Sequence, residues 1–173
     1  MKQYSKRMVI IHWLTLALLA AAWLLGDVVH DARYDGGATI GGYLAHMLAG
    51  AAVLLLTVAR LVFRSKDGVP PALGDTPMDK VAKGLQHLLY AVLILLPVSG
   101  TMQVLTSDVG KAIAAGDSSL LPAKFTGVTA HIVHEWMVWV LIALVAVHVL
   151  GALKHQFVMK DNIMDRMSLR GRK

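Results

Sequence analysis

The chain has no cysteine among its 173 residues. That excludes disulfides, thiolate-held iron–sulfur clusters and covalent CxxCH haem attachment. A bound cofactor must therefore be held by histidine, by methionine or by non-covalent contacts. Charge is scarce too: only 16% of residues are Asp, Glu, Lys or Arg, against 56% hydrophobic. The formal net charge is +6. Its basic residues flank apolar runs, which reads as membrane topology and argues against a nucleic-acid partner.

The apolar residues cluster into four runs long enough to cross a bilayer, about 8–26, 40–63, 85–105 and 128–153. These predict an all-α, integral-membrane four-helix bundle with a single domain over 1–173, in contact with lipid. The first run imitates a signal peptide, with Lys2, Lys6 and Arg7 ahead of it. It is too long for one, and Ala20–Ala22 falls in mid-span, so the segment is read as retained. Residues 27–39 read as a short loop in which His30 is solvated. Pro70, Pro71 and Pro77 mark the next loop as an extended connector carrying Lys80 and Lys83. Pro97 and Gly100 predict a kink in the third span. The loop over 106–126 has room for a short surface helix.

Basic residues are unevenly shared. The N-terminus, the second loop and the tail hold Lys2, Lys6, Arg7, Arg60, Arg64, Lys66, Lys80, Lys83, Lys154, Lys160, Arg166, Arg170, Arg172 and Lys173; the other two loops hold only Arg33, Lys111 and Lys124. The positive-inside rule then puts both termini in the cytoplasm, which suits an even number of spans.

Histidine inside a membrane span marks a functional site by default. His134 and His148 lie fourteen residues apart on the last span. At about 100° per residue they return to within roughly 40° of one stripe, some 21 Å apart along the axis at about 1.5 Å per residue. His131, by the same arithmetic, falls roughly 100° from His148 and fits less well. With the predicted topology, His12 shares a depth with His148, and His46 shares one with His134. Facing imidazoles in a bundle suit axial ligation of haem iron. Zinc competes as the metal but wants a tetrahedron of four ligands, and each level supplies two histidines. Simple helix-bridging hydrogen bonds are the plainer alternative. Arg60 and Arg64 are candidates to pair with haem propionates, or plain topology anchors. Arg33, Lys111 and Lys124 are candidates to steer an anion, or ordinary solvated charges. Glu135 is a candidate to orient a ligand or relay a proton, and His155 reads as an interfacial residue.

Several stretches resemble the bacterial cytochrome b561 family, and within it the superoxide:ubiquinone oxidoreductase type. They are Tyr4-Ser5 followed by IHW with His12; LAHMLAG with His46; RLVFR with Arg60 and Arg64, then Pro70-Pro71; LLPVSG around Pro97; HEW at His134; His148; and KDN at 160–162. The resemblance implies a cytochrome of the bacterial inner membrane with two haem b groups on His12, His46, His134 and His148. It also implies electrons taken from superoxide at the outer face and passed to ubiquinone, with protons drawn from inside. Members of the wider family resemble anchor subunits that relay electrons for hydrogenases or dehydrogenases, so a partner subunit is the alternative. A haem-free transporter with a histidine proton relay is a third reading. One departure concerns the third span: Gln86 stands where the family often has histidine, four residues before Tyr90, with His87 beside it. A quinone or substrate role for His87 is weakened accordingly.

Overall fold

A computed structural model describes residues 2–72 and 74–169; Arg170, Arg172 and Lys173 of the basic tail lie outside the described residues. Five α-helices follow in order: α1 Lys6–Tyr34, α2 Ile40–Asp67, α3 Pro77–Leu105, α4 Asp108–Ala115 and α5 Thr129–Leu153. No strand occurs among the described residues. α1, α2, α3 and the stretch Thr129–Met159 are each long and apolar enough to cross a membrane. Their outward faces carry large apolar side chains, among them Leu48, Leu55, Trp136 and Trp139 at 65–71% exposure. In a polypeptide surrounded by lipid this is the expected arrangement, because hydrocarbon does not penalise them.

The helices form two hairpins. α1 packs along α2, and α3 packs along α5, with a lighter α2–α3 contact between the pairs. Both termini lie at one end of the bundle. Tyr4 N donates to the Arg166 carbonyl, Trp13 Nε1 donates to the Met167 carbonyl at 3.0 Å, and Arg166 reaches the Pro71 carbonyl at 2.9 Å. Asp67 accepts from Ser5 and from both forks of Arg7, tying the end of α2 to the start of α1. The C-terminal strap leaves α5 through a π-helical turn, Lys154–Met159. A 3₁₀ turn, Ile163–Met167, follows, with Lys160 and Asn162 left-handed between them.

The opposite end is capped by residues 106–128. The short helix in that loop is α4, started by the Ser107 side chain and ended by left-handed Gly116. Val109 and Phe125 of the cap pack on Tyr43 of α2, with Val29, Val104 and Ile113 around them.

Three local expectations are corrected. Residues 27–34 continue α1, so the loop shrinks to 35–39 and His30 sits on the helix, exposed, with its ring 5.0 Å from Tyr34. The acidic residues that suggest a loop lie on an exposed helical face. The third helix starts at Pro77, eight residues before the apolar run. Pro77 occupies the first helical turn, where its missing N–H has no role, and Thr76 with Asp79 forms a capping box ahead of it. Lys80 and Lys83 are thus helical.

Val109 is fully buried in the cap. Val109→Ala is expected to destabilise the cap by about 2 kcal/mol through the cavity it leaves. Amide hydrogen exchange should then accelerate across Asp108–Ala115 while α2 and α3 keep their protection; uniform exchange over the chain would contradict a locally held cap.

Candidate haem-ligand site

Four half-buried histidines face the space between the two hairpins. His12 of α1 and His148 of α5 have ring centroids 6.3 Å apart; His46 of α2 and His134 of α5 are 6.1 Å apart. The imidazole planes cross steeply, at 65° and 81° respectively.

The capped-end pair is anchored by backbone. His46 Nδ1 donates to the Ala22 carbonyl of α1 at 2.9 Å. His134 Nδ1 donates to the Leu96 carbonyl of α3 at 3.1 Å and lies 3.0 Å from Ser99 Oγ, whose own proton goes to Leu96. A carbonyl only accepts, so Nδ1 carries the proton in both rings and Nε2 is left as the free ligand atom. Each approach needs a glycine. A Cβ on Gly26 would stand 2.9 Å from His46 Cε1, and one on Gly100 would stand 3.0 Å from His134 Cε1. In both hairpins the glycine follows the accepting carbonyl by four residues, which puts the two on one helix face.

The termini-end pair is held differently. Neither the His12 nor the His148 ring makes a hydrogen bond among the described residues. Trp13 packs edge-on to His12 at 5.2 Å. The Arg60 charge acts on both rings, and its Nε donates to the Tyr90 hydroxyl at 2.8 Å. Arg64 is half-buried one turn beyond.

Between the hairpins runs a cavity of about 630 Å³. His46 and His134 line one part of it, and it extends past Pro97 and Leu93 to Leu16 and Val149. Pro97 cannot donate to the Leu93 carbonyl, so the α3 backbone has an open bond at the cavity wall.

These residues fit a porphyrin. Two nitrogens held at about 2.0–2.1 Å on opposite sides of one metal stand about 4 Å apart, which puts the ring centres about 6 Å apart. Both pairs have that spacing, and the cavity beside His46 and His134 is lined mainly by apolar side chains. Among the described residues no group of three or more His, Cys, Asp or Glu is arranged to hold a bare metal ion. Zinc therefore lacks its ligand set.

The other candidates are dispersed. His87 is exposed and Gln86 is half-buried, the two standing about 100° apart around the continuous α3. His131 lies over the Phe125 ring at 4.5 Å and 3.8 Å from exposed Glu135, away from both pairs. His155 bonds Asp161 at 2.6 Å in the C-terminal strap. Lys111 and Lys124 line a cleft of about 370 Å³ in the cap. The Asp108 carboxylate beside Lys111 raises the lysine's pKa and keeps it cationic. Arg33, expected as a solvated loop charge, is buried beneath the cap at 6% exposure.

A family model described as prokaryotic cytochrome b561 matches residues 3–169. Cytochrome b562 of Cereibacter sphaeroides is 34% identical over 170 residues, which covers 95% of this chain and 94% of that protein. Cytochrome b561 homolog 2 of Escherichia coli is 30% identical, covering 90% and 86%. A probable superoxide oxidase CybB of Yersinia pestis is 28% identical, covering 96% of each. No solved structure matches the chain.

Gly100→Val is expected to push the His134 ring off α3 and away from His46, leaving His12 and His148 in place. Ring-nitrogen NMR of labelled histidine reads this directly. An unchanged His134 Nδ1 hydrogen-bond signature would contradict the close packing.

Proposed function

The chain belongs to the prokaryotic cytochrome b561 family, a family of haem b membrane electron carriers, and we propose that it carries electrons from superoxide at the outer face of the bacterial inner membrane to ubiquinone. In this reading residues 1–173 form one domain with both termini cytoplasmic. The excess of lysine and arginine at the termini end supports that orientation. The capped end, with Lys111 and Lys124 around its cleft, is then periplasmic.

The single observation that carries the reading is the occurrence of two facing imidazole pairs at two depths, each with the spacing of axial ligands. His46 and His134 would hold one haem b near the outer face, and His12 and His148 a second near the cytoplasmic face. When bound, the haems supply one-electron carriage between the two depths. The chain does the rest. Hydrogen bonds from Nδ1 to Ala22 and Leu96 fix ring orientation and raise the basicity of Nε2. The apolar cavity wall excludes water. Arg60, oriented by Tyr90, places positive charge beside the inner pair and is suited to a propionate. Lys111 and Lys124 attract an anionic donor. Overall, two superoxide ions are oxidised to dioxygen, and one quinone takes two electrons and two protons to become quinol. The probable superoxide oxidase among the relatives supports the choice of donor.

Two measurements test this. His148→Ala should lower haem content from two per chain to one and leave the other b-type spectrum intact; loss of both or of neither contradicts the pairing. Stopped-flow mixing of the oxidised protein with superoxide should reduce the haems, and added ubiquinone should reoxidise them. If the haems stay oxidised with superoxide yet a soluble protein donor reduces them, the chain is a relay subunit instead.

A further inference from the structure

Arg33 and Tyr43 are each 6% exposed, and they are neighbours across α1 and α2. The Arg33 guanidinium bears on the Tyr43 hydroxyl, yet neither Arg33 Nε nor that hydroxyl makes a well-aligned hydrogen bond among the described residues. Arg33 also forms no ion pair with any described carboxylate. Its guanidinium lies over the rings of Phe125 at 4.7 Å and Tyr34 at 5.1 Å. A buried charge with no counter-charge is strongly unfavourable unless something answers it. A free Nε leaves open the side-on fork with which arginine grips a planar oxyanion. The Tyr43 hydroxyl supplies a further donor, one turn from His46.

The position has two neighbouring compartments. On the cap side, Phe125 forms part of the cleft that Lys111 and Lys124 line. One aromatic ring therefore separates the surface lysines from the buried guanidinium. On the bundle side, Tyr43 stands one turn before His46, which lines the cavity.

We propose that Arg33 and Tyr43 form a built site for an anionic oxygen. The anion is either a carboxylate of the porphyrin bound at His46 and His134 or a small free monoanion entering past Phe125. The proposal rests on the reading of His46 and His134 as a haem pair, and the haem spectrum tests that reading by itself. The site gives the arginine a counter-charge and brings that charge close to the outer electron carrier.

The test is optical redox titration of purified holoprotein, wild type, Arg33→Gln, Arg33→Lys and Tyr43→Phe, with and without nitrate as the small-anion probe. A porphyrin carboxylate in the site predicts that Arg33→Gln lowers one of the two midpoint potentials, with nitrate inert in the wild type. A free anion predicts that nitrate lowers one wild-type potential saturably. Its apparent affinity should then fall at least about tenfold in Arg33→Gln, as for a lost charged hydrogen bond. Arg33→Lys keeps the charge without the fork and should fall between the other two. If both potentials match the wild type in Arg33→Gln at every nitrate concentration, the proposal is overturned. Should Arg33→Gln fail to retain haem, Tyr43→Phe decides, and an unshifted pair of potentials there overturns it as well. A wild-type protein without a b-type spectrum overturns the haem reading and this proposal together, before any anion is added.

Discussion

An imidazole placed in hydrocarbon needs a partner for each ring nitrogen, and the bundle is arranged around that need. At the capped end the partner for Nδ1 is a helix carbonyl, which accepts the imidazole proton in addition to its bond within its own helix. Reaching it requires the imidazole to lie against the helix backbone, and a glycine four residues later makes the room. The device occurs twice: Ala22 and Gly26 of α1 receive His46 of α2, and Leu96 and Gly100 of α3 receive His134 of α5. Each hairpin thus fixes one ring. Bringing the hairpins together sets the two rings beside a shared space, and the cavity lies where they are kept about 6 Å apart.

The two ends of the bundle hold their histidine rings differently. At the capped end the rings are hydrogen-bonded to carbonyls, which makes them stronger donors to a metal. At the termini end the rings lack those bonds and lie within reach of the Arg60 charge. At the termini end the strap formed by Ile163–Met167, the Arg7–Asp67 contact and Trp13 close the bundle, and the cap at the other end carries the cleft.

How far the sequence foretold this depends on the range of the interaction. The four spans come from local composition, and the histidine levels come from arithmetic within one helix plus the positive-inside rule. Both kinds of information are local or one-dimensional. The glycine cradles are not. Gly26 reads as the end of an apolar run and Gly100 as a companion of Pro97 in a kink; only the packing of another helix gives either its meaning. Arg33 fails in the same way. Its neighbours Asp31 and Asp35 suggest a solvated loop, yet α1 continues to Tyr34 and the cap folds over the guanidinium. Pro77 reads as a breaker and is instead a helix start, because Thr76 and Asp79 complete a box around it. Gln86 and His87 are adjacent in the sequence, and the continuous helix separates them: the glutamine is half-buried and the histidine ring is exposed.

The central claim is that imidazoles from three helices form two crossed pairs, each gripping one iron. Low-temperature EPR of the oxidised protein tests it most directly, because the angle between axial imidazole planes governs the anisotropy of a low-spin ferric signal. Planes crossed at 65° and 81° predict two strongly anisotropic low-spin species in equal amounts. A high-spin signal, or one species accounting for all the iron, would contradict the account.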